Sequence, residues 1–360
     1  MSLLFSPAKL GSLTLQNHLV MAPMTRSRAI ENNVPNDLMV EYYRQRASAG
    51  LIITEGTSPS PHGLGYARIP GIYSEAQVAG WKKVTDAVHA RGAKIFIQLM
   101  HTGRVGHPLN LPAGAEVLGP SAVAAKGDMY TDGEGMQPMP TPKAMTEADL
   151  KHTREEFVKA AKNAVAAGFD GIELHAANGY LLEQFIRPNS NTRTDNYGGS
   201  IENRARFVLE VVDATMAAIG KDKVGIRLSP YGVFNDMPDY PEMEADYTYL
   251  AKALNAKGLL YVHLVDHSAM GAPAVPAKIK SIFREAFSGT LILSGGYDAK
   301  RAEADLESGK ADLIAVGRPF LANPDLVERW KKQAAENTPD MSTFYTPGPK
   351  GYTDYPTLAG

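Results

Sequence analysis

Two kinds of segment alternate along the chain. Short apolar runs, in which branched and aromatic residues cluster, are separated by longer stretches where apolar residues recur every three or four positions. The short runs His18–Met24, Leu51–Thr54, Lys94–Met100, Gly171–His175, Val224–Ser229, Leu259–Val265, Thr290–Ser294 and Leu313–Val316 read as strands. The longer stretches Asn36–Ala49, Ser74–Arg91, Thr146–Ala167, Ile201–Ile219, Met243–Lys257, Ala277–Ala286, Ala299–Ser308 and Asn323–Glu336 read as helices. Strict alternation of eight such pairs predicts an α/β fold, a closed parallel (β/α)8 TIM barrel. Caps agree at the helix starts: Thr146 before Glu147, Ser200 before Glu202, and Asn323-Pro324 with proline at the first helical position. Gly168 and Gly258 stand where left-handed C-caps are expected.

The alternation predicts one domain over residues 1–360, interrupted after the third strand by a Gly- and Pro-rich insertion, Thr102–Met145, expected to form a hairpin or lid over the barrel mouth. A second long loop, Pro230–Met243, follows the fifth strand, and the tail Thr346–Gly360 is expected to return to the core.

Chemistry in such barrels gathers at the C-terminal strand ends. Polar residues collect there. Thr25 follows the first strand and Glu55-Gly56 the second; Gln98 and Met100 share one parity in the third. In the fourth, Ile172 and Leu174 face one side while Glu173 and His175 face the other. Arg227 and Ser229 end the fifth, Ser294-Gly295-Gly296 follows the seventh, and Gly317-Arg318 follows the eighth. His175, Asn178 and Tyr180 lie within six residues. Two hydrogen-bonding side chains beside a phenol suit a site that grips an electron-withdrawing oxygen and protonates the adjacent carbon.

Composition removes several classes. The net charge of −2 speaks against a nucleic-acid binder. The absence of cysteine excludes disulfides, thiolate metal sites and cysteine-ligated iron–sulfur clusters. The interrupted N-terminus carries no signal-peptide core, and no apolar run reaches the roughly 18 residues of a membrane span, so a cytoplasmic protein is expected. Glycine-bearing loops after strands seven and eight, LSGGYD and VGRP, suit a phosphate, with Arg318 adding a charged contact. No G-x-G-x-x-G follows a strand, so a mononucleotide fits better than a dinucleotide. Arg227 and Gln98 would project to the barrel axis under a planar ring, where a cation stabilises a reduced flavin, and Thr25 could bond its opposite edge. A metal-dependent lyase or aldolase using Glu173 and His175 is the alternative reading, and a protein that stores or senses a flavin is a third. No third convergent ligand for a metal is evident, so no metal is expected.

The motifs NHLVMAPMTRSR, EYYRQRASAGLIITEGT, HAANGYLLEQFIRPNSNTRTDNYGGSIENRARF, VGRPFLANPDL and GYTDYP span nearly the whole chain and resemble the old yellow enzyme family of flavin-dependent ene-reductases, with the strongest likeness to its bacterial N-ethylmaleimide, pentaerythritol tetranitrate and glycerol trinitrate reductases. The resemblance implies non-covalent FMN at the barrel mouth, reduced by NADPH or NADH, and ping-pong reduction of activated alkenes (α,β-unsaturated carbonyl and nitro compounds), with nitrate esters and nitroaromatics as further acceptors. It implies flavin contacts at Pro23, Met24, Thr25, Gly56, Gln98, Arg227, Gly295, Gly296, Gly317 and Arg318. It implies a substrate-holding pair, His175 and Asn178, a proton donor, Tyr180, and pocket walls at Tyr66 and Tyr352; Met100, with the parity of Gln98 and one step nearer the mouth, is expected to border the same pocket. Two positions depart: Met100 stands where tryptophan is common, and His267–Pro273 does not match the tryptophan-bearing loop of similar reductases. The related iron–sulfur dienoyl-CoA reductases are set aside because their ligating cysteines are missing. The expected partners are small molecules, with a monomer or weak homo-oligomer.

Overall fold

Parallel strands close into an eight-stranded barrel in the computed structural model, which describes residues 2–359. The barrel strands are β1 (Leu19–Met21), β2 (Leu51–Ile53), β3 (Lys94–Leu99), β4 (Gly171–Ala176), β5 (Val224–Leu228), β6 (Tyr261–Leu264), β7 (Thr290–Ser294) and β8 (Leu313–Val316). The principal helices follow them in turn: α1 (Asp37–Gln45), α2 (Glu75–His89), α3 (Glu147–Ala166), α4 (Arg206–Ile219), α5 (Met243–Lys257), α6 (Ala277–Ala286), α7 (Ala299–Glu307) and α8 (Leu326–Lys332). The expected elements are therefore all present, with ends shifted by a few residues. Ile201–Ile219 is two helices, Ile201–Arg204 and α4. Asn323-Pro324 does not start a helix, because α8 begins at Leu326 with Asp325 before it.

Local chemistry explains the boundaries. Thr146 and Asp149 form a reciprocal capping box at α3, and Ser74 and Gln77 do the same at α2. Gly258 ends α5 in the left-handed conformation, with φ at 68°. Ser200 precedes its helix without a side-chain cap bond.

One apolar layer fills the space between barrel and helices, built from the outward residues Ile172, Leu174, Ile226 and Val262 together with the helix faces. A second apolar cluster plugs the barrel interior. The antiparallel hairpin of Ala8–Leu10 and Leu13–Leu15 closes the lower end, burying Leu10 and Leu15 with Phe96 and Tyr261. Cross-strand pairs there combine large with small: Phe96 stands opposite Gly171, and Tyr261 opposite Gly225. A Cβ at Gly225 would lie 2.2 Å from the Tyr261 ring, so glycine is what lets that aromatic ring into the axis.

The insertion after β3 forms a hairpin of Asp128–Thr131 and Gly135–Pro138, and a short parallel pair of Leu118–Gly119 with Lys143–Ala144. The tail returns to the core as expected, strapped to the loop after β1 by two buried arginines. Arg28 donates to the carbonyls of Phe344 (2.8 Å), Thr343 (2.8 Å) and Lys350 (3.0 Å). Arg26 donates to the carbonyls of Phe344 (3.1 Å) and Gly351 (2.7 Å).

Arg28→Ala removes a donor from the Phe344, Thr343, Gly348 and Lys350 carbonyls; Arg26 and Thr346 still serve the first two, and the last two lose their side-chain donor. Each orphaned group costs about 1–3 kcal/mol, so the variant should lose stability in urea denaturation and become cleavable within the 343–352 segment under limited proteolysis. Wild-type protease resistance would show that the strap does not hold the tail.

Candidate active site

Strand register assembles the polar layer above the apolar plug. Glu173 is the direct neighbour of Gln98 across β4 and β3. His175 is the neighbour of Arg227 across β4 and β5, and Arg227 is the neighbour of His263 across β5 and β6. All these residues share the inward parity of their strands, so their side chains meet near the axis.

Glu173 is fully buried and accepts three hydrogen bonds. Gln98 Nε2 donates to Oε1 at 2.8 Å; Tyr261 Oη and His263 Nδ1 donate to Oε2 at 3.1 Å and 2.9 Å. Burial pushes its carboxyl up, but His263, the Arg227 charge and the Gln98 bond outweigh burial and hold it below the usual carboxylate value. Burial holds His263 below the usual imidazole value despite Glu173. The carboxylate expected as a possible metal ligand thus has both oxygens occupied. Among the described residues no three His, Asp or Glu side chains are placed to hold a metal.

The loop after β4 places the other candidates. His175 Nδ1 accepts the Ala177 N–H at 3.3 Å, which leaves the proton on Nε2. Burial, with the Arg227 charge, holds His175 far below the usual imidazole value, so it is neutral and can donate one bond. Asn178 is left-handed, with φ at 57°, a conformation that asparagine tolerates. Three neighbours secure it: its N–H donates to Ser229 Oγ (2.8 Å), its carbonyl accepts from Asn235 Nδ2 (2.6 Å), and its Oδ1 accepts from His267 Nε2 (2.9 Å). Its amide donors are therefore the end left for a ligand. Ser229 is held in turn by the buried Glu183, which also accepts from Gly179 N–H, Arg187 and Tyr247. The Tyr180 ring packs edge-on against His175 at 4.8 Å, and its hydroxyl lies 2.8 Å from that of Tyr66. Burial raises both phenols, Tyr66 to about 12 and Tyr180 well above its usual value, so both keep their protons at neutral pH.

Two adjoining cavities open above this layer. The first, about 440 Å³, is walled by Pro23, Met24, Thr25, Asn178, Arg227, Gly295, Gly296, Gly317 and Arg318. Nine expected site residues thus meet in one space. The second, about 720 Å³, is bordered by Tyr66, Tyr180, Asn235 and the hairpin residues Asp128 and Met129. Thr25, Met341 and Tyr345 belong to both walls. Arg68 pulls the second wall together: it pairs with Asp132 of the hairpin and donates to the Ser27 and Tyr345 carbonyls. Gly56, Gln98 and His175 lie buried beneath the cavities rather than in their walls.

The first cavity fits a planar anionic cofactor. Arg227 is 6% exposed, its Nε has no hydrogen-bond partner, and no ion pair among the described residues engages its guanidinium. A buried guanidinium with unused donors that faces a cavity is costly unless a ligand meets it. Across the cavity, Gly295 has φ at 117°, and a Cβ there would lie 2.3 Å from the Asp266 carbonyl. Glycine therefore lets this loop pack directly against the Asp266 backbone, and Gly295 and Arg318 both line the cavity. The residues present fit FMN.

Two expected pocket residues are corrected. Tyr352 is fully buried away from both cavities, stacked on Tyr42 with ring centroids 4.1 Å apart, because its ring fills the space beneath the arginine straps. Tyr345, seven residues earlier, is the tail aromatic in the cavity wall. Met100 does not border either cavity. It is 1% exposed and lies against Gly56, where a Cβ would meet its sulfur at 2.5 Å; the missing side chain at 56 lets the thioether fold inward. His267, Asn235 and Tyr345 were not expected at the site, and Ser229 was placed at its strand end without a role. His267 alone had a signal, since it lies in the loop that departs from the family pattern.

Comparison with known proteins agrees with this geometry. The family model described as the NADH:flavin oxidoreductase / NADH oxidase family matches residues 3–337. A Leishmania infantum protein described as a probable flavin mononucleotide-dependent alkene reductase is 42% identical over 99% of this chain and 97% of its own length. Morphinone reductase in complex with tetrahydroNAD superposes with a TM-score of 0.93 at 48% identity, covering 99% of this chain and 97% of that one. The old yellow enzyme homologue of Zymomonas mobilis superposes with a TM-score of 0.94 at 41% identity, covering 99% of each chain.

Burial, with the Arg227 charge, lowers the pKa of His267 from 6.5 to about 4. The folded state binds fewer protons than the unfolded chain between these values. The contribution from the neutral imidazole is therefore complete above about pH 6.5 and lost as pH falls through about 4, amounting to about 3 kcal/mol at most. His267→Phe should flatten this limb of the stability profile, measured by urea denaturation from pH 4 to 7; an unchanged slope would refute the assignment.

Proposed function

The chain belongs to the NADH:flavin oxidoreductase / NADH oxidase family, and from that premise we propose how its own residues carry out the chemistry. It is an FMN-dependent oxidoreductase of the old yellow enzyme type that reduces activated alkenes with a nicotinamide donor. When bound, FMN would supply hydride transfer from the nicotinamide to the β-carbon of the alkene, in two half-reactions at one site.

The observation that carries the site assignment is Arg227, a buried guanidinium without a hydrogen-bond partner on its Nε, adjacent in register to His175. Arg227 and Gln98 would hold the pyrimidine edge of the flavin, Thr25 its opposite side, and Gly295, Gly296, Gly317 and Arg318 its phosphate, with Pro23, Met24 and Gly56 packing against the ring. Neutral His175 and the amide donors of Asn178 would bond the carbonyl or nitro oxygen of the substrate and stabilise the negative charge that develops there. Tyr180 keeps its proton until the α-carbon becomes basic, then donates it. Tyr66, at 2.8 Å, can return a proton to Tyr180. Tyr66 and Tyr345 would flank the substrate, whereas Met100 supports the wall from behind. Nitro compounds, nitrate esters and nitroaromatics extend the same oxygen-gripping chemistry. The reading extends to a cytoplasmic monomer or weak homo-oligomer.

The purified protein should be yellow. It should bleach on anaerobic addition of NADH or NADPH and recover its colour with 2-cyclohexenone. Bleaching without recovery would favour a flavin-storing or sensing protein.

Tyr180→Phe should slow the recovery with enones while leaving bleaching near wild type, because only the carbon must be protonated. Stopped-flow measurement of the two half-reactions separates them, and equal slowing of both would contradict the role. Arg318→Ala should raise the FMN dissociation constant roughly tenfold or more, since a charged hydrogen bond is worth about 1.5–3 kcal/mol. An unchanged constant in fluorescence titration would remove Arg318 from the phosphate site.

A further inference from the structure

The polar layer beneath the first cavity contains a group that the reaction itself does not use. Glu173 is completely buried, touches neither cavity, bonds Gln98 directly and lies within reach of the Arg227 charge. We propose that Glu173 is a positioning residue for the flavin: its carboxylate dictates which end of the Gln98 amide faces the cofactor and counterbalances the Arg227 charge beneath it. The inference rests on the flavin-site reading above.

The two ends of a glutamine amide have nearly the same shape, so packing alone does not choose between them. An ionised carboxylate only accepts. The 2.8 Å contact between Gln98 and Glu173 Oε1 therefore has Nε2 as donor and turns the Gln98 carbonyl the other way. Among the described residues the Gln98 side chain bonds through Nε2 to Glu173, and its carbonyl accepts no protein hydrogen bond. It is left for an N–H group, and the flavin pyrimidine edge presents one such N–H between two carbonyl oxygens. Those oxygens are acceptors, which Arg227 can serve.

The other partners keep Glu173 in place. Tyr261 and His263 both donate to Oε2, so the carboxylate cannot turn without losing bonds from β6. His263 Nε2 has no partner, consistent with a neutral ring protonated at Nδ1. The interior layer then holds one negative charge, Glu173, and one positive charge, Arg227. A nearby cation favours the anionic reduced flavin and a nearby carboxylate opposes it, so Glu173 also moderates the flavin potential.

The test uses full-length holoenzyme, with FMN release read by fluorescence on dilution and the midpoint potential read by anaerobic dye titration. In Glu173→Gln, one carbonyl oxygen and one NH₂ group replace two acceptors facing three donors, so Gln98 is no longer held in one orientation. The expected result is an FMN dissociation constant raised roughly tenfold and a positive shift of the midpoint potential. Glu173→Asp keeps the charge but shortens the reach to Gln98. It should raise the dissociation constant while leaving the potential near wild type, and it carries the test if the glutamine variant does not fold. In a Gln98→Ala background, Glu173→Gln should weaken FMN much less than it does in the wild type, because the two act through one contact. Full additivity, or wild-type affinity in Glu173→Asp, would overturn the proposal. A wild-type protein that releases FMN as readily as an Arg227→Ala variant would instead refute the flavin-site reading itself.

Discussion

One hydrogen-bonded register holds the site together. Because β3, β4, β5 and β6 pair in parallel at fixed offsets, Gln98 stands opposite Glu173, and His175, Arg227 and His263 form the next inward row two residues further along. A slip of one residue in any strand would turn its polar member into the apolar shell and leave buried charges unpaired. Below this layer the aromatic rings of Phe96 and Tyr261 and the N-terminal hairpin seal the axis; above it the chain is open. The polar layer is thus the floor of the site, and the same ladders that stabilise the barrel align it.

The walls follow a different logic. They come from loops that share a small apolar cluster, including Leu64, Ile69, Val105 and Met129, and they are tied down by charged hydrogen bonds to backbone. Arg26 and Arg28 strap the tail, Arg68 joins the hairpin to the tail, and Arg187 with Glu183 and Ser229 supports the loop that carries Asn178. Guanidinium groups suit this work because one planar group can serve several carbonyls from different segments. The arrangement makes a rigid floor with a stitched rim.

The barrel was legible because its signals are local. Apolar runs alternating with capped amphipathic stretches report secondary structure residue by residue, and alternation of eight pairs leaves few topologies. Even so, Asn323-Pro324 pointed to a helix start that the chain does not use, since Asp325 and Leu326 take that place. The short helix Leu181–Ile186 was missed because all six residues are buried and show no amphipathic pattern. The inward parity of Glu173 and His175 was also local, and the register bears it out.

What the sequence determined by itself was therefore the barrel, the strand ends at which polar residues gather, and the reaction class that their motif resembles. Only the tertiary structure decided which side chains meet. Tyr345 rather than Tyr352 faces the cavities, because the arginine straps and Tyr42 claim the latter ring. His267, 89 residues away in the chain, bonds the Asn178 amide, and Glu173 is committed to Gln98, Tyr261 and His263 rather than to a metal. These outcomes depend on distances between segments remote in sequence. Periodicity reports which face a residue takes; only packing reports what stands opposite it.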